Sequence, residues 1–266
     1  AIGYNAGTAI SSGYNNTLIG KNAGQAITTG ARNTFVGYQA GDGFDGETHN
    51  VGVGENALGG PIAGGEYNVA VGSNTLDALT SGDNNTAVGY QAGTAVTTGG
   101  YNTFLGWEAG KTYTGTGDVN TAIGASALQA MTTGTQNTAL GGNAGYSLTS
   151  AGDCVLIGHN AGDAITIGSQ NVAVGQNALG AAVVERRNVA IGNNALAAHR
   201  TTASTVNDTG NTSVGFYAGA QITTGGGNTA IGQNALATRL TTGSNNVGVG
   251  TGVNMNNSGN SNGIVI

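Results

Sequence analysis

Residues 16–32 read NTLIGKNAGQAITTGAR, and residues 33–49 read NTFVGYQAGDGFDGETH. The two stretches share one pattern. Asn is followed by Thr, a variable apolar residue, Ile or Val, and Gly, and Ala comes three residues later. The pattern extends in both directions. Its first position falls at Asn16, Asn33, Asn50, Asn68, Asn85, Asn102, Asn120, Asn137, Cys154, Asn171, Asn188, Asn211, Asn228 and Asn246. The spacing is 17 or 18 residues, apart from one long unit that runs from Asn188 to Gly210. A fixed period of this length marks a repeat architecture, in which each unit buries its apolar face only against its neighbours.

Within a unit, positions 2 and 4 are Thr or Val and Ile, Val or Leu, as in Thr17 and Ile19. Alternation over positions 2–4 is a strand signal. Gly at position 5 and the Gly of a following Thr-Thr-Gly, as in Thr28-Thr29-Gly30, are turn signals. Position 12 carries a larger apolar residue, as in Ile27, Leu79 and Met131. No segment holds a helical period. The reading is all-β: a parallel β-solenoid of about 17 residues per coil, one repeat domain over residues 1–266. The chain opens and stops within a repeat, so a piece of a longer chain is expected. Asn at position 1 is suited to a stacked amide ladder and to a left-handed corner.

Position 3 trades volume with position 9. Where position 3 is large (Leu18, Phe35, Phe104, Leu156), position 9 is Gly (Gly24, Gly41, Gly110, Gly162). Where position 9 is Leu, as at Leu76 or Leu128, position 3 is Gly or Ala. Close-packed interiors penalise overfilling and underfilling alike, so the two positions are expected to share a dry layer. Position 3 points away from positions 2 and 4. Two apolar faces on one strand imply two cores, one inside the solenoid and one between identical chains. Leu18, Phe35, Ala70, Phe104, Ala122, Leu156 and Ala190 are therefore the candidate interface residues of a homotrimer.

Composition narrows the function. The formal charge is −6, with only seven Lys and Arg, which argues against nucleic acid, whose binding needs a basic stripe. No apolar run approaches the ~20 residues that span a bilayer, so no membrane insertion is expected of this segment. One cysteine, Cys154, excludes an intrachain disulfide. It is read either as a tolerated rung of the ladder or as the source of an intermolecular disulfide.

The string N-T-A-I-G-x-N-A resembles the head repeats of YadA-like trimeric autotransporter adhesins. It is also similar to repeats of phage tail fibres and other bacterial surface fibres. The resemblance covers nearly the whole chain. It implies a left-handed β-roll, three identical chains side by side, and an extracellular, cell-surface or virion location. The implied role is attachment, as an adhesin head, a fibre shaft or a tail-fibre receptor-binding region. The repeat departs from the adhesin head in being longer and in adding the Thr-Thr-Gly turn, and this segment has no stalk, neck or anchor.

Candidate chemistry is sparse, and neither an enzyme nor a cofactor is expected. His49, His159 and His199 fall at different repeat positions without a repeated partner. An acyltransferase solenoid would need an aliphatic residue at position 10, which here is Gln25, Asp42, Asp77 or Lys111. The acidic stretch 42–47 is either a solvated turn or an oxygen-rich calcium loop. Aromatics at position 6, among them Tyr38, Tyr90 and Trp107, occur where position 9 is Gly. They either pack over the space that Gly leaves or present rings to a cell-surface glycan or protein. The Thr-Thr rows suggest a second function class, an ice-binding solenoid, although the rows are interrupted, as at Gly46. The long unit bulges between Ala197 and Gly210. His199, Arg200, Asn207 and Asp208 are its candidate ligand-contact residues, since loops often carry function.

Overall fold

In the computed structural model the described residues are 1–61, 63–116, 118–201, 207–238 and 241–266. They form short strands and turns, with no helix among them. The chain divides into two compact units, Ala1–Thr133 and Gly134–Ile266, and each is built as a parallel β-solenoid of about 17 residues per coil.

The first unit contains strands β1 (Thr17–Ile19), β2 (Thr34–Val36), β3 (Val51–Val53), β4 (Val69–Val71), β5 (Thr86–Val88), β6 (Thr103–Leu105) and β7 (Thr121–Ile123). Each occupies positions 2–4 of its repeat. They pair in parallel in chain order without slip, from Thr17↔Thr34 and Leu18↔Phe35 to Phe104↔Ala122. The second unit contains β8 (Thr138–Leu140), β9 (Val155–Ile157), β10 (Val172–Val174), β12 (Val189–Ile191), β14 (Thr212–Val214), β15 (Thr229–Ile231), β16 (Val247–Val249) and β17 (Ile264–Val265), again paired in parallel. Two further short strands, β11 (Glu185–Arg186) and β13 (Asn207–Asp208), pair with each other beside the long coil.

Inside and outside are reversed relative to the sequence reading. Position 3 is the interior position. Leu18 is 1% exposed, and Phe35, Ala70, Phe104, Ala122, Leu156 and Ala190 are fully buried within the single chain. The expectation that these seven form an interface with identical chains is corrected: their side chains are enclosed by their own coil. Positions 2 and 4 point outward and are half-buried or exposed. The physical reason lies in the turn after each strand. Gly at position 5 has φ between +124° at Gly232 and +145° at Gly37, and the chain folds back beneath the strand. Ala at position 8 and the residues at positions 9 and 12 then pack under position 3. A Cβ on Gly37 would lie 2.2 Å from the Gly54 carbonyl oxygen, so adjacent coils approach at this corner as only glycine permits.

The volume trade is a contact. A Cβ on Gly41 would come within 2.4 Å of the Phe35 ring, on Gly110 within 2.5 Å of Phe104, and on Gly162 within 2.8 Å of Leu156. The layer also crosses from coil to coil: Phe35 lies 3.0 Å from a Cβ placed on Gly52, and Phe104 2.9 Å from one on Gly93. Where position 9 is Leu, the backbone remains left-handed, with φ 50° at Leu76 and 51° at Leu128. That conformation costs an L-residue about 1–2 kcal/mol. Complete burial of Leu76 and Leu128 stabilises by about as much.

The amides at position 1 form the ladder. Asn33, Asn50, Asn68, Asn85 and Asn102 each donate their backbone N–H to the Oδ1 of the Asn one coil earlier, at 2.9–3.0 Å. The Nδ2 donates to a carbonyl just before the next rung in Asn16 (Gly30, 2.8 Å), Asn68 (Gly82, 2.9 Å) and Asn85 (Gly99, 2.9 Å), and Asn102 donates to Gly100 (2.9 Å). The left-handed corner expected at position 1 falls one residue earlier, on Asn15, Arg32, His49 and Tyr67. Across the coil, the amides of Thr28, Thr29 and Gly30 all converge on the Asp45 carbonyl of the next coil, at 3.0–3.3 Å.

Cys154 occupies one rung. Its N–H donates to Asn137 Oδ1 at 3.1 Å, and its Sγ lies 3.5 Å from the Gly152 and Gly168 carbonyls. The thiol is fully buried, and burial pushes its pKa up to about 11. An intermolecular disulfide therefore has no accessible sulfur.

Two substitutions test this interior. Gly110→Leu should destabilise the chain by about 3 kcal/mol, from overpacking and left-handed strain. The double variant Gly110→Leu/Phe104→Ala reproduces the Ala122/Leu128 arrangement and should recover at least half of that loss. Denaturant unfolding measures both, and additive effects would contradict a shared layer. Cys154→Asn should raise stability by about 1–2 kcal/mol by restoring amide hydrogen bonds on both sides of the rung, read as a higher denaturation midpoint. A lower midpoint would mean the thiol is fitted to its site.

Candidate functional site

The outward side chains of each strand form two files, position 2 and position 4. No charged residue occupies either file anywhere in the chain. The second file is exposed to a notable degree for large aliphatics: Ile19 is 40%, Leu105 43% and Leu140 44% exposed. In-register pairing fixes both files as straight rows of Thr or Val beside rows of Ile, Val or Leu. Soluble monomers rarely leave continuous apolar surface of this kind uncovered.

Aromatic and basic side chains lie at the positions that flank the strand. Tyr38, Tyr90 and Trp107 at position 6 are 43%, 47% and 51% exposed. They do not fill the space above Gly at position 9, because Phe35 and Phe104 fill it from within the coil. The ring-packing reading is thereby corrected. Lys21 Nζ sits 5.6 Å from the Tyr38 ring centroid. At the strand's other end, Arg32 lies 5.6 Å over Tyr14 and contacts His49 Nε2 at 3.4 Å, and His49 stacks on Tyr67 at 4.8 Å.

The acidic turn is organised around its own backbone. Glu47 Oε2 accepts from the Asp45 N–H (2.8 Å) and Oε1 from the Gly64 N–H of the next coil (2.9 Å). Asp45 accepts from the Thr28 hydroxyl. Asp42 is half-buried, and burial raises its pKa although Gln39 donates to it at 3.1 Å. Among the described residues, no group of three or more His, Cys, Asp and Glu is placed to hold a metal ion.

The Thr-Thr-Gly rows are not a free hydroxyl array. Thr223 of Thr223-Thr224-Gly225 donates to Thr241 O of the next coil (2.9 Å), and at the equivalent position of Thr-Ser turns Thr80 donates to Thr97 O (2.9 Å) and Thr149 to Thr166 O (3.1 Å). Only the second hydroxyl of the pair faces outward, as at Thr98.

The insertion differs from its sequence reading. Residues 202–206 and the Asn207 side chain lie outside the described residues. Arg200 is exposed, and Asp208 is paired with Arg187. His199 is fully buried and is no surface contact residue. Counted from Asn188 it stands at position 12, where other coils carry Ile27 or Leu79. Its Nε2 lies 3.1 Å from Thr209 Oγ1 and 3.3 Å from Asn211 Nδ2. Burial lowers its pKa, against the opposing field of Glu185.

Glu185 went unnoticed in the sequence. It is fully buried, and its carboxylate accepts from the backbone amides of Val183 (2.6 Å), Val184 (3.0 Å) and Thr201. Burial alone would raise its pKa, but these donors together hold it below the usual carboxylate range. Glu47 and Glu185 stand where most coils place the Gly of Thr-Thr-Gly, and that exchange is the signal that could have found them. Beside the insertion, Ala197, Ala198, Tyr217, Ala220 and Ala237 line a groove on the second unit. Among the described residues no helix is long and apolar enough to cross a membrane.

Comparison with known proteins gives no match to a protein-family model, to a curated protein or to a solved structure, so the functional reading rests on the chain's own residues and geometry.

Proposed function

We propose that this chain is an extracellular fibre segment with a structural and adhesive role, displayed on a bacterial surface or a virion and assembled from three identical chains. A phage tail-fibre shaft is the same proposal in a second setting. The observation that carries it is the uncharged outer face formed by positions 2 and 4. Its two straight files of Thr or Val and of Ile, Val or Leu are self-complementary. In a cyclic assembly each residue meets its own copies, and a file without charge brings no like charges together. The half-exposed rings of Tyr38, Tyr90 and Trp107 supply flat apolar surfaces for a cell-surface glycan or protein.

Ice binding is the second reading, and one observation favours it. Thr and Val alternate freely at position 2 while the in-register lattice is unbroken. The two side chains share a branched outline, so the surface keeps its shape where its hydroxyls vary. This face suits ice better than the Thr-Thr-Gly rows.

Mass measurement in solution separates these readings. Light scattering at micromolar concentration should give three times the 25.9 kDa chain mass. Val88→Lys with Leu105→Lys should dissociate the trimer while leaving the β-sheet signal in circular dichroism unchanged. A stable monomer that shows thermal hysteresis would favour the second reading, and a stable monomer without it would sink both.

A further inference from the structure

The long coil breaks the rule that the interior is apolar at position 12. His199 stands there, fully buried, and its enclosure favours the neutral ring. Thr209 Oγ1 donates to Asn188 Oδ1 at 2.9 Å, so its single proton is engaged. What it offers the His199 Nε2, 3.1 Å away, is a lone pair. Asn211 Nδ2, 3.3 Å from the same nitrogen, donates to the Gly225 carbonyl at 2.9 Å and has no lone pair to offer. Nδ1 has no hydrogen-bond partner. A neutral ring with its proton on Nε2 fits this arrangement. An imidazolium would put a charge in the core; the Ile222 and Thr223 backbone favours it in part, but burial of the ring outweighs that support.

The same ring sits where the insertion rejoins the solenoid. Thr209 and Asn211 hold the Asn188 Oδ1 rung, the latter through its N–H at 3.0 Å. Glu185 fixes the departing end at the Thr201 amide. The charged groups on the surrounding coils are few. Glu185 is buried and anionic, Arg186 is partly buried, and Arg187 and Asp208 pair with each other at the surface. Arg200 is exposed, Tyr217 is 40% exposed, and residues 202–206 include no ionisable side chain. Burial favours the neutral ring; the Glu185 charge favours protonation, as do the Ile222 and Thr223 backbone groups, and burial prevails.

We propose that His199 makes the long coil acid-sensitive: proton uptake expels the ring from position 12, breaks its contact with Thr209 and unlocks the Asn188–Asn211 rung, while the remaining coils stay closed. The direction follows from linkage. A histidine whose folded form resists protonation binds fewer protons folded than open, so stability is full above its ordinary value of about 6.5 and falls as pH drops below it. Glu185, held in its anionic form, weakens in the same direction but only in the carboxylate range near pH 4. A comparison at pH 7.5 and 5.5 therefore isolates the histidine.

Amide hydrogen exchange, corrected for the intrinsic pH dependence of exchange, tests this. Between pH 7.5 and 5.5 the opening of the Asn211 and Gly210 amides should increase about tenfold. The Asn160 amide, bonded to Gly142 O at 3.0 Å, should be unchanged. His199→Leu places at position 12 the residue that other coils use, and should abolish the difference. Equal exchange at both pH values, or an undiminished difference in His199→Leu, would overturn the proposal. If that variant fails to fold, an NMR titration of the wild-type ring decides. Titration below 6.5 supports the proposal, and titration at or above 6.5 refutes it.

Discussion

The amide at position 1 is the interaction on which the coil depends. A three-residue strand offers little cohesion, and a 17-residue loop has no helix or second strand to close it. The Asn side chain solves both problems with one group. Its oxygen accepts the backbone N–H of the next coil, and its nitrogen donates to the carbonyl at the end of its own coil, just before the next rung, as in Asn68 and Gly82. The first contact fixes the stacking and the second fixes the cross-section. Buried amides must be satisfied completely or they destabilise, so the rung admits few substitutes. Cys154, whose thiol donates only weakly to the Gly152 and Gly168 carbonyls, is the departure from it.

Much of this was legible in the sequence. The period, the strand at positions 2–4, the parallel stacking and the shared layer of positions 3 and 9 follow from spacing and volume. The direction each face points did not follow, because both sides of the strand are apolar. Ile19 and Val36 are more hydrophobic than Ala70 or Ala122, and hydropathy ranks the outer file as the core. Size is the better guide. At the strand, the inward position 3 holds Gly and Ala with an occasional Leu or Phe, because positions 9 and 12 already fill the interior beneath it, while the β-branched residues of positions 2 and 4 remain outside. The left-handed corners were equally hidden. Arg32, His49 and Tyr67 adopt them, and none is a residue type that announces a positive φ as Gly does.

The candidate sites illustrate the same limit. His199 looked like a surface residue because an insertion surrounds it, yet the repeat numbering from Asn188 places it among the core positions. Tyr38, Tyr90 and Trp107 correlate with Gly at position 9, and that correlation suggested cover. The explanation is internal, since Phe35 and Phe104 claim the space first. Glu47 and Glu185 carry a carboxylate to the turn that usually has only carbonyls to receive its amides. Each turn then gains a receptor of its own, and with it a dependence on charge that Thr-Thr-Gly turns lack.

The interior contacts between coils give the tandem array an order. Phe35 projects toward Gly52 of the following coil, Phe104 projects toward Gly93 of the preceding one, and the Leu236 side chain comes within 2.6 Å of where a Cβ on Gly248 would stand. Each bulky plug thus requires a particular neighbour as well as a partner within its own coil. Excision of residues 50–67 would set Phe35 against Ala70 and Leu76, the surroundings that Phe104 already meets in Ala122 and Leu128, provided the ring leans toward the preceding coil as Phe104 does. The repeats are alike enough to stack in register, and the direction in which each plug leans records the neighbour against which it is packed.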